Sequence, residues 1–398
     1  MRTLSADYIF TGISEPIKNG VITIDQGGRI LDVSSGKIDS ATEIFEGVIC
    51  PGFINTHCHL ELSHMRSVLE EKTGMANFIR GILSKRGNAS AEQIQQELIA
   101  AEQELINNGI VAVGDISNTS DTFELKGKGH LYYHTFIEIF NSNPAKASEV
   151  FENGLRLEKE LSQTQQKKSS SSIVPHAPYT MSKELLILIN EHAAKNKSTI
   201  SIHNQESQGE DDLFLSKSGD LFHLFTQMGI DLSAFHPTGL NALRSTFPFL
   251  TRAAKILLVH NTFTSMQDIY WAEDLLRKMS GGTAELYWCT CPNANLYIEN
   301  KLPNYDQFLE MESNVTIGTD SLASNWSLSI LDELKTIAKY NPHIPLQTLL
   351  TWATKNGADF LGIDALGTIE KGKQPGLNLL KNTKGFTISD RTEVVKLS

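Results

Sequence analysis

Eight short apolar or β-branched runs recur along this 398-residue chain, and a helix-like stretch separates most of them from the next. They are VICPGFINTHCH (48–59), VAVGDIS (111–117), LYYHTFIEIF (131–140), SSIVPHAPYT (171–180), TISIHNQE (199–206), ILLVHNTF (256–263), ELYWCTCPNAN (285–295) and VTIGTDSLASN (315–325). Strands that alternate with helices pair in parallel, and eight such units predict an α/β chain closed as a (β/α)8 TIM-like barrel. The segments between them carry helix punctuation. EQIQQELIAAEQELINNG opens on the capping box Ser90-Ala-Glu-Gln93 and stops at Gly109. KELLILINEHAAKN and QDIYWAEDLLRKMSGG follow the same grammar.

The two ends break the alternation. Residues 1–50 hold YIFTG, GVITID and RILDVSS, and residues 366–398 hold the similar GTIEKGKQPGLNLLKNTKGFTISD. Short strand-like runs punctuated by Gly predict a small β-sandwich domain built from both termini, beside a barrel over 51–365. Lys167-Lys-Ser-Ser-Ser-Ser172 is expected to be a solvated loop at a helix end. Two long connections, 60–87 and 207–254, are expected to shape substrate access and to carry specificity.

Composition narrows the class of partner. The formal charge of −11 comes from 46 acidic against 35 basic residues, with no basic stripe, which argues against nucleic acid and anionic membrane. No run approaches the roughly 20 apolar residues that span a bilayer, and MRTLSADYIFTGI lacks a signal-peptide core, so the expected location is the cytoplasm. Four cysteines (Cys50, Cys58, Cys289, Cys291) are too few for a disulfide framework and are expected to be reduced. Cys289 and Cys291 have no second Cys/His pair at zinc-finger spacing and are expected to pack against a strand. A small-molecule substrate is the expected partner, and a homodimer is compatible with the sequence.

The strand ends carry the chemistry. His57 and His59, two apart, project to one face while Cys58 points away. His203 ends the fifth run, His260 the sixth, and Asp320 the eighth. Any one histidine is most simply structural. Together at barrel strand ends they suit a divalent cation, with room for a bound water.

PGFINTHCH, His203-x-x-Glu206, VHNTF, CPNAN and GTDSLASN resemble the amidohydrolase superfamily of metal-dependent barrel hydrolases, in its deaminase and chlorohydrolase branch. The resemblance implies a single metal ion, zinc first and iron as the alternative, held by His57, His59, His203 and Asp320. It makes Glu206 the proton-handling carboxylate and His260 the partner that orients the nucleophilic water. The fourth strand, IVPHAPYT, lacks the lysine that binuclear relatives carbamylate, which implies a mononuclear site. A cation held by neutral imidazoles brings the pKa of bound water to about 7, and the hydroxide so formed can attack an amidine-like ring carbon. Glu206 can then protonate the adjacent ring nitrogen, while Asp320 and His260 pass the water's proton to the departing amine.

His176 and Tyr179, in His-Ala-Pro-Tyr, match residues that contact substrate in the resembling deaminases; core packing is the competing role. Glu61 and His64 follow the first strand and suit either substrate binding or a helix cap. Glu138 is left open between the two. His130, His134, His192, His223, His236 and His343 show no partner pattern and are expected to be structural. HCHLELS, ESQGEDDLFLSKSGDLFHLF and GTDSLASNWSLSILDELKTI resemble the aminodeoxyfutalosine deaminases of the adenosine-type group. This implies release of ammonia from the adenine ring of a nucleoside, with Phe78, Tyr179 and Trp326 available to stack on it. Two other functions compete. The same site can serve a chlorohydrolase or amidohydrolase acting on a triazine, guanine or pterin, or the barrel can be a non-catalytic assembly or binding module, which the retained ligands and Glu206 disfavour. The chain departs from the pattern at Pro375-Gly376, where relatives carry Ala-Asp, and at Ala294, where they carry serine before the retained Asn295.

Overall fold

Five strands open the chain: β1 (Arg2–Ile9), β2 (Ile17–Lys18), β3 (Val21–Ile24), β4 (Ile30–Ser34) and β5 (Thr42–Pro51). The structure, a computed structural model, describes residues 1–36, 38–164 and 169–398. Each of the eight runs then yields a strand: β6 (Phe53–Cys58), β7 (Ile110–Ser117), β8 (Tyr132–Ile139), β9 (Ser169–Pro175), β10 (Thr199–Asn204), β11 (Lys255–His260), β12 (Glu285–Thr290) and β13 (Val315–Ile317). β14 (Leu377–Lys381) and β15 (Glu393–Lys396) end the chain.

Strands β6 to β9 form one parallel four-stranded sheet in sequence order, and β10 to β13 form another. Helices cover them, so these strands read as nearly continuous apolar runs instead of alternating ones. The sheet edges approach each other at the end that carries the histidines. There His203 N donates to His176 O (2.9 Å), Asp320 N donates to His57 O (3.0 Å), and Cys58 bridges to Asp320. Gly318 permits the second approach: a Cβ there would lie 2.8 Å from His57 Cβ and 2.9 Å from each Sγ of Cys289 and Cys291. All four cysteines are buried and unbridged.

The intervening helices follow their sequence punctuation. Ser90 caps the helix Ala91–Asn107 through a full capping box, and Gly109 takes φ +73° just beyond its end. Lys183–Asn196 and Met266–Ser280 are helices, the second closed by left-handed Gly281.

The terminal strands pair in a single seven-stranded sheet, ordered β15-β14-β5-β1-β3-β4 with β2 on β1. Leu4, Ile9, Ile22, Ile49, Leu377 and Leu379 form its own apolar cluster. A second sheet, which a sandwich requires, is not part of this pairing. The run VICPGFINTHCH also divides between two sheets. It breaks at Gly52, whose N–H faces the carbonyls of Pro375 and Gly376 and where a Cβ would strike Val111.

The serine tract differs from its expectation too. Lys167 and Lys168 lie outside the described residues, but Ser169 to Ser172 open β9 instead of forming a solvated loop. Their hydroxyls have partners inside: His134 Nδ1 lies 2.6 Å from Ser170 Oγ, and its Nε2 lies 2.9 Å from Ser172 Oγ. Among the described residues no helix is long and apolar enough to cross a membrane.

A buried ion pair underlies the first strand end. Lys126 Nζ sits 2.6 Å from Asp115 Oδ2, with both side chains almost fully buried, and Asp115 Oδ1 accepts from Leu60 N at 2.9 Å, one residue past His59. Lys126→Met removes one partner and leaves a charge buried alone, so it should cost about 3–5 kcal/mol in a urea titration. A loss under about 1 kcal/mol would show that Asp115 finds compensation elsewhere.

Candidate metal and catalytic site

At the C-terminal ends of the strands the predicted groups converge. His57 Nε2 lies 3.1 Å from His59 Nε2, which in turn lies 3.3 Å from His203 Nε2. Asp320 Oδ1 stands 3.7 Å from His57 Nε2 and 3.4 Å from His59 Nε2. Glu206, His260 and Asp320 form an adjoining group, with Glu206 Oε1 3.5 Å from His260 Nε2.

Their neighbours set the aim of each side chain. His203 Nδ1–H donates to the His176 carbonyl (2.7 Å), which fixes the tautomer and leaves Nε2 as a lone pair toward the cluster. His260 Nδ1–H donates to Asn295 Oδ1 (2.9 Å), and its buried Nε2 has no hydrogen-bond partner. Ser324 Oγ donates to Asp320 Oδ2 (2.6 Å), which turns Oδ1 to the histidines. Gln205, His260, Asn261 and Asp320 all have positive φ, between 43° and 75°. Such left-handed non-glycine residues cost of order 1–3 kcal/mol each and persist only where surrounding contacts over-determine them. Here they do: Asn204 Nδ2 donates to Asn261 Oδ1, and Asn261 Nδ2 to the carbonyls of Leu258 and Cys289.

Burial dominates the electrostatics. It holds the His57 and His59 imidazoles well below the usual histidine range, with the neighbouring imidazoles adding to the effect. It brings His203 to about 4 and His260 to about 3. The same burial pushes Asp320 up to about 7 and Glu206 well above the usual carboxylate range, the latter helped by Asp320, Glu210 and Glu299. At neutral pH the imidazoles are therefore unprotonated donors. Their Nε2 atoms and Asp320 Oδ1 lie close enough together to share one cation, and three imidazoles with one carboxylate suit Zn²⁺ or Fe²⁺.

A cavity of about 460 Å³ opens onto this cluster. Its apolar wall comes from the two long connections, through Met75, Phe78 and Ile79 on one and Phe225, Met228 and Leu232 on the other. His176 and Tyr179 line it, as do His59, His203, Glu206, His260 and Asp320. Glu61 does not. Its carboxylate accepts from Asn118 N, Thr119 N and Thr119 Oγ1 and pairs with Arg86 at 3.2 Å, so it ties the loop after β7 to the segment after β6. His64 reaches the Arg86 carbonyl, and Trp326 is half-exposed with its Nε1–H on Glu71.

Asn295 accepts the His260 Nδ1–H and so orients that ring. Asn295→Ala should lower kcat about 10- to 100-fold, the usual cost of losing such a partner. The measurement is a steady-state assay with metal content determined in parallel, and a kcat within twofold of the parent would remove Asn295 from this role. Glu333, which the sequence did not single out, is fully buried on the helix Ile330–Tyr340. It accepts from Asn293 N (2.8 Å) and Asn325 Nδ2 (2.6 Å), joining the loops that follow β12 and β13.

Two parallel four-stranded sheets carry these imidazoles and carboxylates at their C-terminal ends, grouped closely enough to hold a metal ion. The chain belongs to the amidohydrolase family, which residues 48–397 match. It is 27% identical over 351 residues to an adenosine deaminase of Helicobacter pylori, covering 87% of this chain and 82% of that one. Its fold matches H. pylori aminofutalosine deaminase in complex with methylthio-coformycin, with a TM-score of 0.80 at 24% identity over 97% of this chain and 94% of that one. It also matches atrazine chlorohydrolase of Arthrobacter aurescens, complexed with zinc, with a TM-score of 0.73 at 19% identity over 98% and 90% of the two chains.

Proposed function

We propose that this chain is a mononuclear metal-dependent aminohydrolase that removes ammonia from the adenine ring of an adenosine-type nucleoside such as aminodeoxyfutalosine. The reading includes closure of the eight parallel strands as a (β/α)8 barrel over 51–365, with residues 1–50 and 366–398 as a separate β domain. One observation carries it: His57, His59, His203 and Asp320 converge beside a second group of Glu206 and His260, at the floor of a cavity large enough for a nucleoside. The adenosine deaminase likeness supports the choice of ring.

His57, His59, His203 and Asp320 would hold the ion, zinc or iron. When bound there, it supplies Lewis acidity that makes water a nucleophile near neutral pH. The protein's own groups carry the protons. Glu206, kept protonated by burial, can donate to the ring nitrogen beside the amine-bearing carbon. His260 Nε2, its Nδ1 fixed by Asn295, can accept a hydrogen bond from the incoming water and aim it. Asp320 can take the water's proton and return it to the leaving amine. A C–O bond forms, the C–N bond breaks and ammonia leaves; as the new hydroxyl becomes a carbonyl its remaining proton returns to Glu206, which is thereby restored.

The test is a panel of adenosine, 5′-deoxyadenosine, aminodeoxyfutalosine and 6-chloropurine riboside, with ammonia and chloride both measured on zinc-loaded protein. Ammonia from an adenosine derivative is the expected result. Chloride alone would move the reaction to halide displacement, and neither product would overturn the proposal.

A further inference from the structure

One lysine outside the metal cluster is spent wholly on a single stretch of backbone. Lys217 is the left-handed residue (φ +55°) that caps the helix Gln208–Ser216, a position where glycine is the usual choice. Its Nζ donates to the carbonyls of Leu232 (2.7 Å) and Phe235 (3.1 Å), and among the described residues it makes no salt bridge. Among the described residues these are also the only hydrogen bonds that join residues 231–237 to the rest of the protein. Both ends of the stretch are fixed: Gln227 Oε1 accepts from Arg80 Nη2 (2.7 Å) just before it, and Ala242 N donates to Asp211 Oδ1 (2.9 Å) just after it. The helix that bears Lys217 is itself anchored beside Glu206, because Gln205 N donates to Glu210 and Gln205 Nε2 to Asp211 (3.0 Å). Met228, Ile230 and Leu232 line the cavity, although Met228 is 43% exposed and Ile230 37%. The exposed Leu83 and Phe140 line it too, and apolar side chains gathered at a cavity mouth mark a surface that a ligand covers.

We propose that Lys217 is a positioning residue for substrate, holding this stretch so that Met228, Ile230 and Leu232 close on the sugar and 5′ substituent of the nucleoside; this rests on the deaminase reading above. The reacting edge of the ring must face Glu206, His260 and Asp320, so the apolar wall of the long connections meets what the ring carries. Solvent surrounds much of the stretch, where Asp231, Ser233, Ala234, His236 and Pro237 are exposed. Untied, it would sample many conformations, and a wall in place for only part of the time weakens binding by that fraction. Hydrogen bonds from a charged donor are among the stronger ones, and two from one Nζ to carbonyls three residues apart fix the stretch at its middle. Lys217 does not line the cavity itself, so its loss acts on substrate affinity and leaves the proton transfers alone.

The experiment sets Lys217→Met and Lys217→Arg beside the parent, all zinc-loaded, with whichever of adenosine and 5′-methylthioadenosine the parent deaminates faster. Lys217→Met should raise KM about 10-fold and keep kcat within about twofold, the mark of lost binding that ground state and transition state share. Lys217→Arg, which keeps donors on a long stem, should recover most of the loss. Amide hydrogen exchange should quicken over residues 230–238 in Lys217→Met and stay at parent rates in β6 and β10. Metal content and melting temperature should match the parent. An unchanged KM, an unchanged exchange rate over 230–238, or an equal rise of KM in both variants overturns the proposal. So does a fall in kcat that tracks lost zinc or a lowered melting temperature, which would make Lys217 a support of the fold. If the parent releases no ammonia from either nucleoside, the deaminase reading fails and calorimetric binding of the two nucleosides judges the clamp. Weaker binding by Lys217→Met then upholds it, and equal affinity, or no binding by the parent, overturns it.

Discussion

Glu206→Gln should lower kcat by about 10²–10⁴-fold, the range that positioned proton transfer supplies, while bound metal and melting temperature stay at parent values. The substitution keeps the volume and one acceptor oxygen but removes the acidic proton. Glu206 is buried, lines the cavity, and keeps its proton because burial and then the nearby Asp320, Glu210 and Glu299 penalise its charge. Its backbone is set by Gln205, held left-handed by contacts from Gln205 N to Glu210 and from Gln205 Nε2 to Asp211 (3.0 Å). The variant therefore disturbs the proton and little else. Metal analysis, a thermal melt and a steady-state assay on one preparation decide the matter. Turnover within tenfold of the parent would mean that another group protonates the ring, and a loss of metal would make Glu206 a ligand.

Much of this site could be read from the chain because its groups sit at strand ends, where local pattern and position coincide. His57, His59, His203, His260 and Asp320 each close an apolar run, and a parallel sheet brings such ends together whatever their separation in sequence. What escaped depends on direction and distant pairing. Its place just past the first strand suits Glu61 to either substrate binding or a helix cap. The short 3-10 turn Leu60–Met65 instead points its carboxylate at Asn118 and Thr119, almost sixty residues on. Glu333 lies on an amphipathic helix whose pattern announces a core face and says nothing of the Asn293 N–H, 40 residues away, that donates to it. The run VICPGFINTHCH reads as one strand even though Pro51-Gly52 interrupts it at the expected domain boundary. Only the pairing of β5 with β1 and β14 shows that its first half belongs to another sheet. The serine tract misled for the same reason: composition suggests solvent, while His134 and the neighbouring strand β8 supply the partners.

Stripping the metal should have the other large effect, and it separates ligands from proton carriers. Exhaustive chelation is expected to bring turnover to background, with recovery on adding Zn²⁺ or Fe²⁺ to the stripped protein. Stability should move as well, because an ion that binds only the folded chain stabilises it by about 4 kcal/mol at a thousandfold excess over its Kd. The effect should be strong here because the donors come from β6, β10 and the loop after β13, which share no local segment and meet only in the folded chain. Asp320 N on the His57 carbonyl and His203 N on the His176 carbonyl hold those pieces in register, so the stripped protein should stay folded and rebind. His203→Ala gives the matching genetic result. It removes one of three Nε2 donors that lie within 3.3 Å of a neighbour, so zinc content and turnover should fall together, unlike in Glu206→Gln. If chelated protein retained its turnover, or if His203→Ala kept a full equivalent of zinc, the converging imidazoles would be a packed histidine cluster and the proposed chemistry would have no electrophile.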